Sequence, residues 1–128
     1  MIEEYKFGEI IIDGKKYDHD VEVRWIPHTN KLGTEQSLEV LKWWRKESHI
    51  VGLEDIKQAL KLNPEVIIIG TGAYGIAEVQ NDVKEYLKEK GICLIIDHTD
   101  EAVKTFNIFL KKREDQKKKI IGFFHLTC

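Results

Sequence analysis

Little in this chain of 128 residues marks it for an extracellular or membrane setting. Two cysteines cannot build the disulfide framework with which small secreted domains supplement a thin core, so a reducing, cytoplasmic location is expected. Apolar runs are short. Residues 66–69 fall far below the roughly 18 apolar residues of a membrane span, and the start Met1-Ile2-Glu3-Glu4 shows neither signal peptide nor anchor. Two prolines exclude a collagen-like chain. An excess of one charge sign is missing too: 20 Lys plus Arg stand against 22 Asp plus Glu, a net charge of -2. Such a balance provides no global field to attract nucleic acid or an anionic membrane, so neither is expected as a partner. What is present is 42% hydrophobic and 33% charged residues in 15.0 kDa, the composition of one packed domain over 1–128.

Residues 1–26 read as an N-terminal hairpin. Ile10, Ile12, Val21 and Val23 alternate in the strand manner, and Asp13-Gly14 is a tight-turn signal between 9–12 and 15–17. A loop follows over 27–33, with His28, Thr29, Asn30 and Lys31 between Pro27 and Gly33. Leu38, Leu41 and Trp44, with Val40 and Trp43 alongside, predict a helix from about Gln36 that Thr34 or Ser37 could cap. Leu53, Ile56, Ala59 and Leu60 predict another, stopped by Asn63-Pro64. The β-branched run 66–69 predicts a strand covered on both faces and ending at Gly70. A helix over 80–90 closes on Gly91, and a strand over 93–96 holds Cys93 as an inert small hydrophobe. Thr99 caps a helix with Ala102, Val103, Phe106, Phe109 and Leu110 inward, and a last strand covers 120–126. From about residue 53 to 128 the chain therefore reads β-α-β-α-β, a sheet with helices on its faces.

Gly70-Thr71-Gly72-Ala73-Tyr74-Gly75 matches the phosphate-binding pattern G-x-G-x-x-G directly after a strand, and Asp97 ends the next strand where a dinucleotide fold holds its ribose-binding acid. Side-chain-free positions would let backbone N–H groups approach a phosphate. Only 31 residues follow Asp97, too few to complete a dinucleotide domain. The alternative is a tight turn with positive φ and no nucleotide. His125 with Cys128 suggests a base and a nucleophile, but in an extended strand the two project to opposite faces and should not meet. Asp18-His19-Asp20 has the composition of a metal site without its spacing, and no Cys or His pair has a zinc-site spacing, so no metal or cofactor is expected. The basic run over 111–119 lacks interleaved aromatics for stacking bases and reads as a solvated helix end. Trp25, Trp43 and Trp44 read as core before interface.

Several segments together resemble one family: the small domain shared by adipogenesis-associated domain-containing proteins, mitochondrial complex I assembly factors of the third type, and uncharacterised archaeal and bacterial proteins. The resemblance is carried by Phe7-Gly8, residues 10–14, Tyr17-Asp18 and Asp20-Val21, Trp44-Arg45 with His49, residues 66–72, Thr99 with Ala102, Phe106-Asn107, and the ending Phe124-His125-Leu126-Thr127-Cys128. It implies an α/β domain of three layers around a central mixed sheet, with helices on its faces and the N-terminal β-hairpin added. It also implies a last strand antiparallel to its neighbours, with His125 and Cys128 at the opposite sheet end from the glycine loop, and a helix that starts beyond Ala77. Cellular roles in adipocyte differentiation and complex I assembly are implied, but no reaction.

The expected function is a small non-catalytic binding or assembly-type domain. Its surface cleft is bordered by Gly70, Thr71, Gly72 and Gly75 and by Trp44, Arg45 and His49, because ligands of open α/β sheets favour loops at strand carboxyl ends. The partner is a protein or a small molecule, and a homodimer is open. The competing expectation is a nucleotide- or anion-binding protein or enzyme using the 70–75 loop and Asp97. His125 and Cys128 are secondary candidates.

Overall fold

The computed structural model describes residues 1–26, 38–112 and 118–128. The loop expected over 27–33, the capping residues Thr34 and Ser37, and the middle of the basic run lie outside the described residues. In chain order the elements are β1 (Ile2–Lys6), β2 (Glu9–Ile12), β3 (Lys15–Tyr17), β4 (Val21–Trp25), β5 (Glu39–Lys42), β6 (Ile50–Val51), α1 (Leu53–Leu60), β7 (Val66–Gly70), β8 (Glu78–Val79), α2 (Asn81–Glu89), β9 (Cys93–Asp97), α3 (Thr99–Lys111) and β10 (Ile120–Phe124).

The central sheet has the order β5-β4-β10-β7-β9. β7, β9 and β10 are parallel, whereas β4 is antiparallel to both β10 and β5. The sheet is therefore mixed, as expected. β1, β2 and β3 form a separate antiparallel sheet, with Asp13 (φ 48°) and Gly14 (φ 80°) turning β2 into β3, and β6 pairs with β8 in a short parallel ladder.

Alternation along the central strands divides the core in two. Val66, Ile68, Ile120 and Phe124 point to the face covered by α3 and the N-terminal sheet, where Phe106, Leu110, Ile2, Ile10 and Ile12 meet them. Ile67, Ile69, Ile121 and Phe123 point to the face covered by α1 and α2, against Ile56, Ala59, Val83 and Leu87. Three layers result, and β7 and β10 are buried along their whole length.

Four local expectations are corrected. The segment 39–42 is a strand, not a helix: pairing with β4 satisfies its backbone and overrides the three-residue spacing of its apolar side chains. Cys93 is exposed, because β9 is an edge strand. Thr99 is the first residue of α3, with His98 at the N-cap and no side-chain capping bond. Trp25 and Trp43 are core residues, but Trp44 is 72% exposed.

Candidate functional site

Lys42, Val21, Phe124, Gly70 and Asp97 lie in register and form one row across the five strands. β5, β7, β9 and β10 end at this row and β4 begins there. Five segments consequently meet beyond it: 18–20, 43–49, 71–76, 98–99 and 125–128. Trp44, Arg45, His49, Gly70, Thr71, Gly72, Gly75, Asp97, His125 and Cys128 all belong to this end. Here the strand direction expected from the family resemblance is corrected. β10 runs parallel to β7, so His125 and Cys128 lie beside the glycine loop and not across the sheet from it.

The last ladder bond of β10 is made by His125 N–H to the Gly70 carbonyl (3.0 Å). Beyond it the chain leaves the strand and crosses the 70–75 loop. Ala73 N–H donates to the Thr127 carbonyl (2.6 Å) and Ile76 N–H to that of Cys128 (3.0 Å). Thr99 fastens three segments at once: its fully buried hydroxyl accepts from Gly72 N–H (2.8 Å) and donates to the His125 carbonyl (2.6 Å). Thr71 N–H donates to the Asp97 carbonyl (2.9 Å) and Gly75 N–H to that of Gly72 (3.3 Å).

The amides of Thr71, Gly72, Ala73 and Gly75 are thus taken by acceptors of the chain itself. α2 begins only at Asn81, beyond Ala77 as the resemblance implies, and offers its N-terminus to no loop phosphate. Asp97 turns a carboxylate oxygen to the His98 N–H (2.9 Å). The glycines answer to packing. At Gly72 (φ 105°) a Cβ would stand 2.5 Å from the Cys128 carbonyl carbon, and at Gly75 (φ 68°) 2.6 Å from His98 Nε2.

Under the tail lies a charged network. One oxygen of Asp20, Oδ2, receives Arg45 Nη2 (2.7 Å) and His125 Nδ1 (2.8 Å), and Oδ1 receives the Leu126 N–H (2.8 Å). The carboxylate oxygen faces His125 Nδ1 as an acceptor, and Arg45 Nη2 lies 3.0 Å from the same ring nitrogen. Burial pushes the Asp20 carboxyl upward, but His125, the Leu126 amide and Arg45 outweigh it and hold the group below its ordinary value. Arg45 has a side chain only 4% exposed, stacks over the Trp43 ring at 4.3 Å and donates to the Ser48 carbonyl (2.7 Å), closing the turn that presents His49. Its Nη1 is buried without an acceptor among the described residues. Tyr5 and Gly8 both donate to the Leu126 carbonyl (2.9 Å each), tying the N-terminal sheet to the tail. Burial, with the charges of Asp100 and Asp20, pushes the Tyr5 phenol up to about 12, so it stays a donor.

His49, His125 and Cys128 come together at the surface of this network, although strand alternation predicts that His125 and Cys128 stay apart. Cys128 Sγ is 3.4 Å from His49 Nε2, and the two imidazoles meet edge to face with centroids 6.0 Å apart. The alternation rule fails because the strand stops at Phe124. Asp20 and Thr99 escaped the sequence reading as site residues, and the His-x-x-Cys spacing after a strand end is the one local signal for the triad.

Phe7, Trp44, Tyr74 and Ile76 stand exposed on the loops of this end, and the Phe7 and Tyr74 rings touch with centroids 6.2 Å apart.

A profile of proteins of unknown function, DUF498/DUF598, matches residues 2–125. Among solved structures, a conserved hypothetical protein from Pyrococcus horikoshii OT3 is 26% identical over 100% of this chain and 99% of its own, with a TM-score of 0.71. A Bartonella henselae chain described as an outer membrane protein is 22% identical (99% of this chain, 94% of that one, TM-score 0.68). A Xanthomonas campestris protein is 14% identical (98% and 83%, TM-score 0.68). The last two show the fold alone. No helix among the described residues is long and apolar enough to cross a membrane.

Proposed function

The chain belongs to the DUF498/DUF598 family of proteins of unknown function, and we propose that it acts by binding a protein partner rather than by catalysis. The contact surface is the loop cluster beyond the carboxyl ends of β7, β9 and β10. One observation carries this reading: Phe7, Tyr74 and Ile76 are each more than half exposed, on segments whose Gly8, Ala73 and Ile76 amides are bonded to the 125–128 tail. Aromatic side chains held rigidly at a surface serve as interface anchors, since little conformational entropy is lost when they are covered. The resemblance to adipogenesis-associated and complex I assembly proteins agrees with an assembly-type role. A nucleotide-binding reading is disfavoured by the occupied amides of Thr71, Gly72, Ala73 and Gly75.

Site-specific photo-crosslinking tests the proposal. A benzoylphenylalanine at position 74 is expected to yield a protein adduct in cells that natively express the chain, and the same probe at Ile108, 52% exposed on α3, is expected to yield none. An adduct at twice the chain's mass would identify a second copy as the partner. Equal labelling at the two positions, or labelling at 108 alone, would overturn the assignment.

A further inference from the structure

We propose that His49, His125 and Cys128 form a binding site for a borderline-soft cation of the Zn²⁺ class. Each residue offers one ligand atom, and the three atoms lie within 4.8 Å of one another. A tetrahedral zinc with Zn–N near 2.0 Å and Zn–S near 2.3 Å spaces its nitrogen and sulfur ligands roughly 3.5 Å apart. The 3.4 Å between His49 Nε2 and Cys128 Sγ meets that spacing without movement.

His125 turns Nδ1 inward to Asp20 and leaves Nε2 as the nitrogen available to a metal. With Nδ1 held against the Asp20 carboxylate, Nε2 faces the side where Thr127 Oγ1 stands, at 3.5 Å and at the limit of a hydrogen bond. A carboxylate behind a ligating histidine is the usual outer partner of such sites, fixing the ring and raising the basicity of the ligand nitrogen. Asp20 is itself held by the Leu126 N–H and by Arg45. Each ligand has its own backbone anchor. Glu78 N–H binds the His49 carbonyl (2.8 Å), Ile76 N–H that of Cys128 (3.0 Å), and His125 N–H closes the β10 ladder.

The donor set selects the ion. Two imidazoles and a thiolate suit zinc and exclude the hard cations Mg²⁺ and Ca²⁺, which require oxygen ligands. Exposure of His49 leaves a fourth position open to water or to a partner's ligand. Binding releases the thiol proton to solvent, with no change of oxidation state. The site is independent of the apolar contact surface proposed above, so either reading can fail while the other stands.

Calorimetric titration of the metal-free protein with Zn²⁺ tests the proposal, with Co²⁺ absorption reporting the sulfur ligand. One equivalent is expected to bind, Mg²⁺ is expected not to, and Co²⁺ is expected to give a thiolate charge-transfer band. His49→Ala and Cys128→Ser, both outside the core, are expected to weaken binding at least about tenfold, with the band lost in Cys128→Ser. Cys93→Ser, an exposed thiol on β9, is expected to change neither. Absence of Zn²⁺ binding, or binding that survives both ligand replacements, would overturn the site.

Discussion

Replacing Gly72 by alanine is expected to cost about 3 kcal/mol of stability, the sum of backbone strain at a positive φ and a collision with the chain's own tail. The residue sits at φ 105°, and an added Cβ would lie 2.5 and 2.6 Å from the Cys128 carbonyl carbon and oxygen and 2.8 Å from the Thr127 carbonyl oxygen. All three are backbone atoms pinned by Ala73 and Ile76, so no side-chain rotation can relieve the overlap. Gly8 supplies the internal control. Its φ is similar, 85°, but nothing lies within 4 Å of its Cβ position. Gly8→Ala should therefore show the strain alone, about 1 kcal/mol. Urea unfolding of the two variants separates the terms through their midpoints at constant slope. Equal losses would mean that the tail does not rest on Gly72.

A loss of similar size, about 3 kcal/mol at neutral pH, is expected for Asp20→Asn, because Arg45 would then keep a buried positive charge without its carboxylate. The effect carries a pH signature. Asp20 titrates below its unfolded value in the native protein, so its contribution is fully present above about pH 4 and disappears as pH falls through the depressed native pKa. The wild type should lose stability across that acid range more steeply than Asp20→Asn, and the gap between the two proteins should close at the lowest pH. Parallel stability curves down to the acid limit would refute the ionised network.

Much of the frame was legible in the sequence because its signals are local. The β-branched run at 66–69 can only be a strand covered on both faces, and Ala102, Val103, Phe106 and Leu110 recur with the period of a helix whose inner face they form. The 39–42 strand was not legible. It is the sheet's edge, only half covered, so alternation there is weak and pairing with β4 decides its conformation. The candidate site was legible in parts: the residues from Trp44 to Cys128 that gather at this sheet end were individually recognisable. Their assembly was not. Asp20 meets His125 across 105 residues of chain, and the meeting of His125 with Cys128 depends on where β10 stops, which the Gly70 carbonyl settles and alternation does not. The glycine loop had the opposite fault. Its pattern satisfied a phosphate-binding rule, while its amides at 71, 72, 73 and 75 are bonded to Asp97, Thr99, Thr127 and Gly72 of the chain itself.

An NMR titration of the ¹⁵N-labelled protein with millimolar nucleotide bears on that last point most directly. If Thr99 and the 125–128 tail hold the loop, the amide signals of Gly72, Ala73 and Ile76 stay in place and exchange slowly with solvent. Nucleotide-dependent shifts concentrated at those three amides would show that they are free to receive a phosphate, and would restore the nucleotide-binding reading.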